Sequence, residues 1–248
     1  MSIWGKIVGG AAGFALGGPI GALLGAVAGH AVDKMADSGA ASETQGAVQD
    51  GTKQIAFTIG VIVLGAKLAK ADGKVTRDEI SAFKQVFHIP PEEAKNVGRL
   101  FDQARKAAHG FEPYARQVGR LFKDNPAVLE ELIGGLFHIA RADGRVTPDE
   151  IDYLRRVAEI FGFGDETWQR IRAANVGADE ADPYSILGVA RSHDDARIKA
   201  AYRRLVVENH PDKLMAEGLP QEFVELANQK LATINAAYDQ IRKERGLS

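Results

Sequence analysis

The sequence predicts an all-α protein, and three observations carry that prediction. Apolar residues recur at helical spacing along most of the chain rather than alternating as in strands. A twelve-residue segment occurs twice, and in both copies a turn signal runs directly into a helix-start signal. Near the C-terminus, two amphipathic stretches flank a short polar hinge, which is the pattern of a helical hairpin. At 248 residues the chain has room for one large domain or two to three small ones.

Composition removes several function classes. The formal net charge is −2, so no global attraction to nucleic acid or anionic lipid is implied, and no nucleic-acid partner is expected. Cysteine is absent, which excludes disulfides, thiolate metal sites and cysteine nucleophiles. No phosphate loop, nucleophile elbow or metal-ligand histidine spacing occurs, and His88, His109 and His138 stand isolated. The expectation is a protein that is not itself an enzyme and needs no cofactor.

Residues 1–34 form the first unit. From Ile7 to Val32 there is no Asp, Glu, Lys or Arg, and about 20 apolar residues suffice to span a bilayer as a helix. Gly5, Gly9, Gly13, Gly17, Gly21, Gly25 and Gly29 recur at every fourth position. On a helix this spacing makes a groove without side chains, where a second backbone can approach closely. The preferred reading is a membrane-spanning helix that self-associates through Gly9, Gly13, Gly17, Gly21, Gly25 and Gly29. Two others compete with it. Lys6 and Ala26-Val27-Ala28 are compatible with a cleaved signal peptide, and the modest hydrophobicity is compatible with a peripheral glycine-rich segment. Residues 35–54, rich in small and polar residues, read as a flexible linker.

The middle of the chain, residues 55–176, contains the repeat. Ala69 to Ile80 aligns without gaps to Ala140 to Ile151, with nine of twelve positions identical. In each copy an apolar helix (Ile55 to Ala71, Val128 to Ala142) stops at Asp-Gly, where glycine can end a helix in the left-handed conformation. Thr76 and Thr147 then open Thr-x-x-Glu capping boxes with Glu79 and Glu150. Pro148 takes the first helical position of the second copy. Ile80, Phe83 and Phe87, and Ile151, Leu154, Val157 and Ala158, continue at helical spacing. Two halves about a pseudo-twofold axis are expected. The arrangement resembles the TerB-like family of tellurite-resistance-associated domains. That resemblance implies metal binding through acidic residues, with Asp72, Glu79, Asp143 and Glu150 as the weak candidates. Capping and turn formation account for the same residues, and the loop lacks the ligand spacing of an EF-hand. Scaffolding or partner docking is the better reading of this domain.

Residues 182–248 form the last unit. Pro183 and Gly188 bracket one short helix. A longer helix over Asp195 to Glu208 places Ile198, Ala201, Tyr202, Leu205 and Val206 on one face and Arg197, Lys199, Arg203 and Arg204 elsewhere. It ends at Asn209-His210-Pro211-Asp212-Lys213, and a final helix from Phe223 to about Arg242 carries Phe223, Ala227, Ile234, Tyr238 and Ile241 on one stripe.

Asp-Pro-Tyr-x-Ile-Leu-Gly-Val, Ile-Lys-x-Ala-Tyr-Arg-Arg-Leu, His-Pro-Asp-Lys and Ile-Asn-x-Ala-Tyr occur here in the order found in the J-domain family, which this segment resembles over almost its whole length. The resemblance implies docking on a DnaK-type chaperone, and stimulation of its ATP hydrolysis, through His210, Pro211, Asp212, Lys213, Arg203, Arg204 and Lys199. Ala200 stands where many members carry lysine, and the segment Leu214 to Gln221 is longer and less charged than in many of them.

The order of glycine-rich anchor, TerB-like domain and terminal J-domain is similar to that of the DjlA-like co-chaperones of Gram-negative bacteria. That similarity implies a single pass through the bacterial inner membrane with the bulk of the chain in the cytoplasm, where DnaK and ATP are available. It argues against cleavage of the N-terminal segment. A homo-oligomer through the N-terminal helix is expected. The competing function is a metal- or stress-responsive binding protein acting through the TerB-like domain.

Overall fold

The computed structural model describes residues 18–21, 45–69, 89, 94–106, 110–142, 144, 146–176 and 181–246, and every regular element among them is helical. The first long helix, α1 (Gln45–Leu68), begins ten residues before the Ile55 start expected from the sequence. The stretch from Gln45 to Gln54 holds no proline, and its glycines lower helix propensity without forbidding a helix. Packing further along the helix therefore overrides the linker-like composition. Every residue from Ile55 to Ala69 is buried, and a helix that is apolar around its circumference but for Thr58 and Lys67 belongs at the centre of a bundle.

Among the described residues, α2 (Ala94–Lys106), α3 (Glu112–Leu121), α4 (Pro126–Ala140) and α5 (Pro148–Ile160) pack directly on α1. α6 (Asp165–Val176) completes the bundle against α4, where Trp168 stacks on Phe137 with centroids 5.9 Å apart. α1 and α4, the two helices that lead into the repeated segment, pack against each other. In the second copy Gly144 has φ +103°, and Thr147 and Glu150 form the expected capping box with Pro148 in the first turn. Tyr153 ties α5 to the centre by donating its hydroxyl to the Leu64 carbonyl at 2.8 Å. Residues 70–88, which carry the first copy's turn and capping box together with Ile80, Phe83 and Phe87, lie outside the described residues, as does Asp143.

Within the glycine-rich segment, Gly18 to Gly21 form one helical turn against α3. Ile20 is buried in the bundle core, and its N–H donates to Gln117 Oε1 at 3.0 Å. Gly9, Gly13, Gly17, Gly25 and Gly29 lie outside the described residues. Among the described residues no helix is long and apolar enough to cross a membrane.

The C-terminal unit holds α7 (Pro183–Leu187), α8 (Asp195–Glu208), α9 (Pro211–Ala216), a 3-10 turn (Gln221–Phe223) and α10 (Val224–Arg245). α8 has the bounds read from the sequence. Asp182 caps α7 by accepting from the Ser185 N–H, and Gly188 ends it in the left-handed conformation, φ +64°. Asp194 caps α8 by accepting from the Arg197 N–H at 2.8 Å. Tyr184, Ile186, Leu187, Ile198, Leu205, Ile234, Ala237 and Ile241 make a small core between α7, α8 and α10. Tyr202 stacks flat on Tyr238 at its edge, with centroids 3.9 Å apart, and donates its hydroxyl to Asn235.

The expected single stripe on the final helix is divided between two cores. Ile234 and Ile241 face the small core, while Phe223 and Ala227 belong to the same buried cluster as α1 and α4. Helix lengths explain the division. At 1.5 Å per residue α10 is about 33 Å long and α8 about 21 Å. Arg245, at the end of α10, holds Asp195, at the start of α8, at 2.8 Å, so those ends are level. The first eight or so residues of α10 therefore overhang the hairpin and reach the bundle.

Candidate docking site

Asn209, Pro211 and Leu214 are buried, while His210 and Asp212 between them are exposed. This alternation follows from the local fold. Pro211 starts α9 where a missing N–H costs nothing, and holds His210 in the extended region, φ −68° and ψ 128°. His210 thereby becomes the N-cap of α9, its Nδ1 accepting from the Asp212 N–H at 3.3 Å. An accepting Nδ1 leaves Nε2 as the protonated nitrogen of the neutral ring. The Asp212 carboxylate has 83 % of its side chain exposed and lies 3.8 Å from His210 Nδ1. Lys213 is partly drawn back toward Glu217 at 3.8 Å. Asn209 anchors the loop from behind by donating to the Leu205 carbonyl at 2.8 Å.

On α8, Lys199, Arg203 and Arg204 are all exposed, and none of the three pairs with a carboxylate among the described residues. α8 thus offers exposed cations, unpaired among the described residues, and ends at a loop that offers an exposed carboxylate. Together they can receive an arginine of a partner at Asp212 and an acidic surface along α8. Val207, 61 % exposed on the same helix, adds an apolar contact the sequence reading did not select.

The acidic residues considered for metal do not form such a site where they are described. Glu150 is buried, and its carboxylate accepts from Thr147 N–H at 2.7 Å and Thr147 Oγ1–H at 2.9 Å, which is its capping role. Asp72, Glu79 and Asp143 lie outside the described residues.

Behind the loop, the sequence reading missed a second set of residues. Leu214, Leu219 and Phe223 are fully buried in the bundle's cluster, and Phe223 meets Phe57 of α1 edge to face. Gly218, at φ +110°, passes so near α1 that a Cβ there would come within 2.9 Å of Lys53 Cβ. On α10, Lys230 lies 3.3 Å from Glu130 and 2.7 Å from Glu131, the latter an ion pair whose angle falls short of a hydrogen bond. Arg170 of α6 also binds Glu130. All four side chains are nearly buried. Burial alone pushes the Glu130 carboxyl up; Lys230 and Arg170 together outweigh it, so its pKa lies below the ordinary value. The low charge and extra length of Leu214 to Gln221 were the available signal.

The full length of this chain aligns with "Co-chaperone protein DjlA" of Aliivibrio fischeri at 34 % identity over 286 aligned positions, covering 100 % of both chains. The chain belongs to the DjlA co-chaperone family. The namesake of Shewanella oneidensis is 35 % identical, again over the whole of both chains, and that of Coxiella burnetii 30 % identical over 79 % of each. Three family profiles match the DjlA-like chain: "Co-chaperone DjlA transmembrane domain" over residues 1–50, "Tellurite resistance protein TerB" over 58–173 and "DnaJ domain" over 182–245. The docking loop and the basic helix both fall inside the last of these. No solved structure matches the chain.

Proposed function

We propose that this chain docks on a DnaK-type chaperone through His210, Pro211, Asp212 and Lys213 together with Lys199, Arg203 and Arg204, and stimulates its ATP hydrolysis. The observation that carries this reading is the exposed His210–Asp212 pair at the start of α9, which follows a helix whose exposed cations pair with no carboxylate among the described residues. Kinship with the DjlA family and the match to the DnaJ domain support it. The partner retains the chemistry; this chain contributes a surface.

We also propose that the N-terminal segment crosses the bacterial inner membrane once and self-associates through its glycine row, leaving the TerB-like and J-domains in the cytoplasm. The match to a transmembrane-domain family supports the anchor. Ile20 lies within the apolar run, so a bilayer span would withdraw it from Gln117; the two arrangements exclude one another.

The test is single-turnover ATP hydrolysis by DnaK with the full chain in detergent or nanodiscs, wild type beside His210→Gln. The full chain is required because Leu214, Leu219 and Phe223 are buried in one cluster with the TerB-like core, and Phe223 meets Phe57 directly. Stimulation by wild type and its loss in the variant are expected. Absence of stimulation by wild type overturns the reading.

A further inference from the structure

The J-domain is built into the TerB-like domain rather than tethered to it. α9 begins at the docking loop, and its Leu214 is fully buried in the cluster that contains α1 and α4. The segment that follows continues into the same cluster through Leu219 and Phe223, and Lys230 closes the seam on Glu130 and Glu131. His210, Asp212, Lys199, Arg203 and Arg204 all stay exposed. The contact therefore leaves the proposed chaperone-facing surface uncovered while fixing the helix that His210 caps.

We propose that Leu214, Phe223 and Lys230 are positioning residues, through which the TerB-like domain holds the His210–Asp212 loop in its working orientation. The inference rests on the co-chaperone reading. A helix of six residues has little stability of its own, and most helical stability in proteins comes from packing. α9 also rests on α8 and α10; undocking removes the cluster that buries Leu214 and loosens the cap at His210 with it. The basic face of α8 rests instead on Ile198 and Leu205 in the separate small core, so it survives undocking. Positioning and initial attraction are thus carried by different parts of the structure.

Lys230→Glu tests this in the full chain, because it places a third carboxylate beside Glu130 and Glu131. Hydrogen exchange at residues 214–223 reads docking, and single-turnover ATP hydrolysis by DnaK reads function. The expected result is lost protection with maximal stimulation reduced about tenfold, or 1.4 kcal/mol, and a half-saturating concentration changed less than about twofold. Combining it with Glu131→Lys restores the opposite charges, and both protection and stimulation return. Should Lys230→Glu fail to fold, Lys230→Met keeps the aliphatic stem and removes only the charge. Lost protection with undiminished or increased stimulation overturns the positioning role. Protection retained in Lys230→Glu overturns the assignment of the ion pairs as the closure. A wild-type chain that stimulates nothing refutes the co-chaperone reading instead.

Discussion

Phe57 of α1 and Phe223 at the head of the last helix meet edge to face with ring centroids 4.8 Å apart, although 166 positions separate them in the chain. Phe122 meets Phe57 from another side at 6.1 Å, so one aromatic cluster joins the two domains at the centre of the bundle. Removing any member opens a void that the other two cannot close without moving a helix.

Phe223→Ala is expected to destabilise the protein by about 3–5 kcal/mol, the usual cost of truncating a buried phenylalanine. Urea unfolding followed by circular dichroism checks the value. A single transition at a lower midpoint is expected, because the shared core makes the two domains unfold together. Two separated transitions in the wild-type protein would contradict the shared core.

Acid should weaken the seam. The Glu130 pKa is lowered in the folded protein by Lys230 and Arg170 against the opposing effect of burial. A depressed carboxyl stabilises the fold above its ordinary value, and that contribution fades as pH falls through the folded value. The stability difference between wild type and Glu130→Gln should therefore be largest near neutrality and shrink in acid. A difference independent of pH would show that folding does not shift the Glu130 pKa.

Arg203→Glu with Arg204→Glu should raise the half-saturating concentration for DnaK about tenfold, or 1.4 kcal/mol, while leaving helicity unchanged. Both side chains are exposed and make no hydrogen bond or ion pair among the described residues. Raising the salt concentration should narrow the gap between variant and wild type, since screening weakens attraction between surface charges. Equal salt dependence in both proteins would argue against an electrostatic role for this face.

Replacing Gly13, Gly21 and Gly29 with leucine should abolish self-association in detergent, because side chains then fill the groove. Cross-linking followed by electrophoresis reads the result. Wild-type protein should resist carbonate extraction from membranes, and a chain lacking residues 1–34 should not. An unchanged oligomer would refute the packing role of the glycines, and ready extraction of wild type would refute the span.

Much of the fold was legible because its signals are local. The Thr147–Glu150 capping box, Pro148 at a helix start, and the bounds of α8 each depend on residues within a turn or two. The docking loop was legible for the same reason, since Pro211 fixes His210 through one shared peptide. Periodicity shows that a face is buried but not against what. The stripe from Phe223 to Ile241 was correctly apolar, and its division between two cores was hidden, because the partner of Phe223 is Phe57 and that of Lys230 lies 100 positions away at Glu130. The start of α1 was missed because glycine-containing polar sequence carries no local sign of the packing further along the helix.

The central place of α1 sets a problem in time as well as in space. A ribosome adding about 5–20 residues per second needs roughly 8–33 s to travel from Phe57 to Phe223. Throughout that interval an apolar helix waits for the last residue that covers it. Until translation reaches the seam, the nascent chain is thus itself an object for the machinery that shields exposed apolar segments, and its own J-domain is made only after the helix it helps to cover.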